Sequence, residues 1–147
     1  MSNPQESCAF DPDRLVVRFE LTIPGTVKAI EPAVQQILTV VDSMGCARGK
    51  EFAIETAIRE ALANAITHGC SGDPSKQVKI SAYCDEERGM ILVVRDPGKG
   101  FDPKTIPSPV QGERLFAEHG RGIYLINQLM DEVRFRAGGA EIWMRKS

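Results

Sequence analysis

Two apolar stripes of helical period, one directly after the other, constrain this chain more than any other feature. From Thr26 to about Ser43, the residues Val27, Ile30, Val34, Ile37, Leu38 and Val41 recur mostly at steps of three and four, the mark of an amphipathic helix. A second stripe of Ile54, Ile58, Ala61, Leu62, Ala65 and Ile66 predicts another helix, from about Lys50 to His68. Gly45 and Gly69 stand where the two helices would end. Helices with one apolar face must bury it against another layer. The segments Arg14 to Ile23, Val78 to Cys84, Met90 to Arg95, Glu132 to Arg136 and Glu141 to Arg145 read as strands that supply that layer. A third helix is expected from about Arg121 to Met130, with Ile123, Leu125, Ile126 and Leu129 as its core face. The predicted fold class is an α/β (α+β) sandwich, a mainly antiparallel mixed sheet with helices packed on one face.

The punctuation agrees with that layout. Pro24-Gly25 stops the first strand, and the polar run Asp85-Glu-Glu-Arg-Gly89 suits a hairpin turn. Ala137-Gly-Gly-Ala140 separates the last two strands. Residues 1–13 are polar, hold two prolines and are expected to be a flexible N-terminal segment; residues 14–147 read as one folded domain. A chain of 147 residues, 42% hydrophobic and 26% charged, can bury a real core and is globular rather than disordered. The net charge of −2 comes with scattered basic residues, which gives no footprint for direct nucleic-acid binding. The chain begins without a basic, then apolar, leader and has no run of membrane-spanning length, so neither a signal peptide nor a membrane partner is expected. The expected location is cytoplasmic. Cys8, Cys46, Cys70 and Cys84 match no zinc or redox spacing, and reduced thiols are expected.

The second helix carries the first chemical signal. With Ile54 at zero and 100° per residue, its apolar residues cluster around a direction of about 40°. Glu60 falls near ~240° and Asn64 near ~280°, off that face. Four residues apart, they are neighbours on one side of the helix. A carboxylate beside an amide oxygen suits a hydrated magnesium ion, which keeps several waters and takes few protein ligands. From this helix alone, a solvated polar face is the simpler explanation of the pair.

Two glycine motifs follow in order. Asp96-Pro-Gly98-Lys-Gly100 comes just past Ile91-Leu-Val-Val94, a buried-strand signal. An Asp in a dry pocket can accept a hydrogen bond from an exocyclic amine such as that of adenine. Gly98 and Gly100 allow backbone to approach a flat ligand, although Asp-Pro-Gly is also a common plain turn. Gly120-Arg121-Gly122 lies where a loop enters the third helix, and exposed N–H groups at such a start favour phosphate oxygens. Arg121 adds a charged fork for the same oxygens. The stretch from Phe101 to Glu118 is poor in regular pattern, holds three prolines and is the length of a functional lid. A carboxylate, an amide oxygen, a base-reading acid and two glycine turns are what a magnesium–nucleotide site needs.

The order of these motifs resembles the GHKL ATP-binding fold of gyrase, histidine kinases and mismatch-repair ATPases, most closely that of bacterial anti-sigma-factor serine/threonine kinases. The family's asparagine box is similar to Glu60-Ala-Leu-Ala-Asn64-Ala-Ile-Thr-His68-Gly69. Its first glycine box resembles Asp96-Pro-Gly-Lys-Gly100-Phe-Asp, and its second Gly120-Arg-Gly-Ile-Tyr-Leu-Ile-Asn-Gln-Leu-Met-Asp-Glu-Val133. The resemblance runs from about residue 51 to the C-terminus and implies a Bergerat-type ATP-binding fold with ATP and Mg2+ as cofactors. It implies that Glu60 is the general base, that Asn64 holds magnesium and that Asp96 reads adenine. Gly98, Gly100, Gly120, Arg121 and Gly122 would line the nucleotide and its lid. The implied activity is a protein serine/threonine kinase that phosphorylates a STAS-domain anti-anti-sigma protein, sequesters a sigma factor and forms a homodimer. The alternative is a non-catalytic ATP-binding switch controlling a phosphatase or STAS partner. A structural adaptor with a degenerate pocket is a third class.

Two departures stand out. Gly139-Ala140-Glu141 occupies a position where many relatives carry Gly-Thr, so a hydroxyl that supports the adenine pocket is missing and weaker binding is expected. The lid has no additional basic cluster beyond Arg114 and Arg121. His68 is expected to close the helix end rather than to act in catalysis, and His119 reads as a loop histidine. Trp143 sits on the last strand, where packing and a dimer role are not separable.

Overall fold

In the computed structural model, which describes residues 17–45, 47–71, 73–85, 89–98, 121–136 and 140–147, five strands form one sheet. They are Val17–Pro24 (β1), Gln77–Asp85 (β2), Gly89–Arg95 (β3), Glu132–Arg136 (β4) and Glu141–Lys146 (β5), in the spatial order β1-β2-β3-β5-β4. Every pairing among them is antiparallel. The expected sandwich with a mainly antiparallel sheet is what the described residues form, with antiparallel pairing throughout them. β2–β3 and β4–β5 are directly connected pairs, β1 pairs with β2 across the intervening helices, and β5 inserts between β3 and β4.

Among the described residues, three α-helices accompany the sheet: Ile30–Met44 (α1), Glu51–Asn64 (α2) and Arg121–Leu129 (α3). Pro32 lies in the first turn of α1, where its missing N–H costs nothing. At the other end, Gly45 takes a left-handed φ of 77° and closes the helix. Val27 was expected on the apolar stripe of this helix. It instead lies in a short 3-10 turn, Val27–Ala29, and is 71% exposed, because the tighter winding ahead of α1 rotates it off the core face. Arg59 of α2 ion-pairs with Glu31 of α1 and, at 3.3 Å, with Glu55 one turn earlier, which links the two helices at the surface.

Alternation along the strands decides which residues meet the helices. Val78, Ile80 and Ala82 of β2, Met90, Leu92 and Val94 of β3, and Ile142 and Met144 of β5 face inward in one cluster with Ile37, Ile54, Ile58, Leu62 and Ile126. Burial of this size is what holds a layered domain together, at roughly 25 cal/mol per Å2 of apolar surface. On α3, Ile123 and Ile126 are buried, whereas Leu125 is 36% exposed and does not belong to the expected core face. It follows Ile123 by two residues, about 200° around the helix, and points away from the sheet.

The opposite sheet face carries a smaller cluster of Tyr83, Ile91, Val93 and Trp143. Trp143 thus faces away from its strand neighbours Ile142 and Met144. The Arg136 guanidinium lies 4.6 Å from the centre of the Trp143 ring, and the indole Nε1–H donates to Glu141. Arg95 pairs with Glu141 at 3.3 Å and Arg145 with Glu132 at 3.4 Å across the same face. Cys70 is free and buried, but Cys84 is disulfide-bonded, so the expectation of four reduced thiols is corrected. Spacing along a chain does not restrict which thiols an antiparallel fold brings together.

Candidate functional site

The α2 helix does not end as a plain α-helix. After Asn64 it continues as a π-helical turn, Ala65–Gly69, closed by the Cys70 N–H donating to the Ala65 carbonyl at 2.9 Å. Such wide turns recur at functional sites because they displace side chains from the regular helical path. Here the turn carries His68 and Gly69 to the wall of a cavity that opens between α2, the end of β3, α3 and the β4–β5 pair. Its walls are largely apolar, with Val94, Ile123, Phe135 and Ile142, and its polar side chains are Asn64, His68 and Asp96. A mostly apolar cavity with a few convergent polar groups is the form of a small-ligand site.

Asp96 is the most tightly framed of those groups. Its backbone N–H donates to the Ala140 carbonyl at 3.0 Å, which holds it against the start of β5. Its Oδ1 accepts the Gly98 N–H at 2.8 Å. Burial pushes the carboxyl above its ordinary value, while the Gly98 N–H and the nearby His68 imidazole pull it down in part. Raised acids of this kind in clefts are characteristic of functional positions.

Glu60 and Asn64 lie four residues apart on α2, both half-buried, on the side away from Ile54, Ile58 and Leu62. Asn64 lines the cavity together with Asp96; Glu60 does not, and stands one turn back along α2. What it faces is Gly122, which is buried in the first turn of α3. A Cβ built at Gly122 would lie 2.9 Å from Glu60 Oε2 and 3.4 Å from Asn64 Nδ2. α3 begins at Arg121, where the glycine motif predicts a loop-to-helix junction. The Arg121 side chain, Gly100, Gly120 and the expected lid, with Arg114 and His119, lie outside the described residues.

Ala140, singled out in the sequence for its missing hydroxyl, is buried and lines the cavity. Two participants were missed from sequence. His68 was read as closing the helix end, yet it lines the cavity. Gly69 was read only as a cap; a Cβ there would fall 2.2 Å from Asp96 Cγ. No signal in the chain distinguishes such a close-approach glycine from a helix-ending one. Among the described residues no group of three His, Cys, Asp or Glu side chains could hold a metal, and no helix is long and apolar enough to cross a membrane.

Comparison with known proteins agrees with the fold. The sequence profile of the histidine kinase-like ATPase domain matches residues 23–146. The chain is similar to the serine-protein kinase RsbW of Oceanobacillus iheyensis, 26% identical over 78% of this chain and 76% of that protein. It is similar to the anti-sigma F factor of Anoxybacillus flavithermus, 37% identical over 54% of this chain and 56% of that protein. It also resembles the anti-sigma F factor of Geobacillus stearothermophilus, 32% identical over 64% of this chain and 67% of that protein. The alignments thus span between just over half and three quarters of those relatives. Profile, sheet topology and relatives together establish that the chain belongs to the histidine kinase-like ATPase family, in the company of anti-sigma factors and serine-protein kinases.

Proposed function

We propose that the protein is an ATP- and Mg2+-dependent serine/threonine kinase acting as an anti-sigma regulator in the cytoplasm. Its phosphoryl acceptor would be a STAS-domain anti-anti-sigma protein, and its second partner a sigma factor. The observation that carries this reading is the meeting of α2 and α3 at Gly122, where Glu60 stands beside a helix start and one turn from Asn64, which lines the cavity holding Asp96. A helix start offers N–H groups to phosphate oxygens, and the apolar cavity beside it suits a base.

In this reading the second carboxylate oxygen of Asp96 accepts from the exocyclic amine of adenine, its Oδ1 being engaged by Gly98. Val94, Ile123 and Ile142 would cover the ring faces. The donor set fits a magnesium ion that rests on Asn64, water and phosphate oxygens, since no protein cluster could enclose one among the described residues. Such an ion would neutralise phosphate charge during transfer. Glu60, on the same side of α2 as Asn64, accepts the proton of the attacking hydroxyl. The same reading carries a homodimer, which sedimentation velocity checks.

Phosphate transfer to purified STAS proteins, with the wild-type chain and with Glu60→Gln, tests the proposal. A kinase loses transfer by about 100-fold or more in the variant and keeps nucleotide affinity within about twofold. A variant that transfers as well as the wild type removes Glu60 from the chemistry. A wild-type chain that binds ATP and changes partner binding without any transfer is the non-catalytic switch.

A further inference from the structure

Gly69, at the end of the π-helical turn, and Gly98, just beyond β3, are packed backbone to backbone. A Cβ at Gly98 would lie 2.7 Å from the Gly69 Cα and 3.0 Å from the Gly69 oxygen, and 2.8 Å from Asp96 Oδ1. A Cβ at Gly69 would lie 2.2 Å from Asp96 Cγ, 2.3 Å from its Oδ1 and 2.6 Å from its Cβ. Contacts that short do not occur, and the obstacle at Gly69 is the short, branched end of an Asp rather than the tip of a long flexible side chain. Asp96 is also fixed at its backbone, by the N–H bond to Ala140, so it cannot withdraw by sliding along the strand. Any side chain at position 69 must rotate the carboxylate out of its seat, which breaks the 2.8 Å bond from the Gly98 N–H. Neither glycine needs a left-handed backbone, because the glycines with positive φ are Gly45, Gly49 and Gly89 among the described residues. What position 69 requires is the absence of a Cβ.

We propose that Gly69 is a positioning residue that sets the carboxylate orientation of Asp96, and with it the preference of the cavity for a purine bearing an exocyclic amine at C6. This rests on the reading of the cavity as a nucleotide site. The turn that ends α2 thereby does two things: it presents Asn64 on one side and seats the base-reading acid on the other. Gly98 serves the same seat from beneath, through its N–H and its own missing Cβ.

The test compares ATP with purine riboside triphosphate, which lacks the 6-amino group, by calorimetry in the presence of magnesium. The wild type is expected to prefer ATP by about tenfold or more, the usual effect of one hydrogen bond to a charged acceptor. Gly69→Ala should bring the two affinities within about twofold of each other, chiefly by weakening ATP. A merely structural role would lower both affinities together and leave their ratio intact; that result in a folded variant overturns the proposal. Should Gly69→Ala fail to fold, the double variant Gly69→Ala/Asp96→Gly removes the carboxylate together with the Cβ that would lie 2.6 Å away, and should recover a higher melting temperature. A double variant no more stable than the single one shows that the carboxylate contact is not what position 69 protects, and also overturns the proposal. Failure of the underlying reading looks different, because the wild type itself would then bind neither nucleotide.

Discussion

Glu60 of α2 and Gly122 of α3 approach so closely that a Cβ on the glycine would stand 2.9 Å from the glutamate Oε2. The nearest atom is the end of a flexible side chain, so Gly122→Ala should fold and melt close to the wild type. The carboxylate, however, must move by a fraction of an ångström or swing aside. Misplacement on that scale of a group that takes up a proton costs about tenfold to 100-fold in rate. The expected outcome is a loss of phosphate transfer much larger than the loss of ATP affinity, read from single-turnover transfer and calorimetry on the same preparation.

Asp96 should show a stability cost that function explains. Its carboxyl lies above its ordinary value because of burial. The folded chain therefore holds this proton more readily than the unfolded chain, and stability falls as pH rises through the window between the two values. Asp96→Asn cannot ionise and escapes the cost. The variant should melt above the wild type at neutral pH, and the advantage should shrink on acidification through that window and vanish below the unfolded value, while ATP affinity drops. Thermal melts across pH check the sign; a variant less stable than the wild type at neutral pH contradicts it.

Asn64 lines the cavity at the point where α2 gives way to the π-helical turn. Asn64→Ala should remove the magnesium dependence of nucleotide binding. Its ATP affinity with magnesium should fall to within about threefold of the affinity measured with chelator, consistent with the loss of one inner ligand of a mostly hydrated ion. Calorimetry with and without the metal reads this directly.

Ala140 is buried at the cavity wall, and its carbonyl accepts the Asp96 N–H. Adding a hydroxyl at that place supplies a hydrogen-bonding group next to the acid. Ala140→Thr is expected to tighten ATP binding by about threefold to tenfold, without change in the melting temperature beyond about 3 °C. Weaker binding would mean that the extra volume, not the hydroxyl, dominates.

A change remote from the site should separate stability from binding. Ile54 is fully buried on the sheet-facing side of α2, away from Glu60 and Asn64. Ile54→Ala should lower folding stability by about 2–5 kcal/mol through the cavity it leaves, as read by urea denaturation, with ATP affinity unchanged in the folded fraction.

Much of this arrangement was legible in the sequence because it rests on periodicity. Ile54, Ile58 and Leu62 set the buried side of α2, and that alone sends Glu60 and Asn64 to the other side. The unbroken apolar run Ile91-Leu-Val-Val94 likewise marks β3 as a buried strand and brings Asp96 to its open end. Contacts between segments distant in the chain were not legible. Gly69 reads as a helix-ending glycine until Asp96 is seen against it, and His68 reads as a cap until the helix is seen to widen into a π-helical turn. Leu125 was misassigned because a dense apolar run hides which residue falls on the far side, and Val27 because a stripe does not reveal where α winding begins. The disulfide at Cys84 has no spacing signature at all.

The central claim is that the cavity between Asn64 and Asp96 binds a magnesium nucleotide. Calorimetric titration of ATP into the wild-type chain, with magnesium and with chelator, tests it most directly. Binding in the micromolar range that weakens by about tenfold or more without magnesium is the predicted result. The absence of any heat at millimolar ATP would contradict the claim, ending both the kinase and the switch readings and leaving an adaptor built on an ATPase fold.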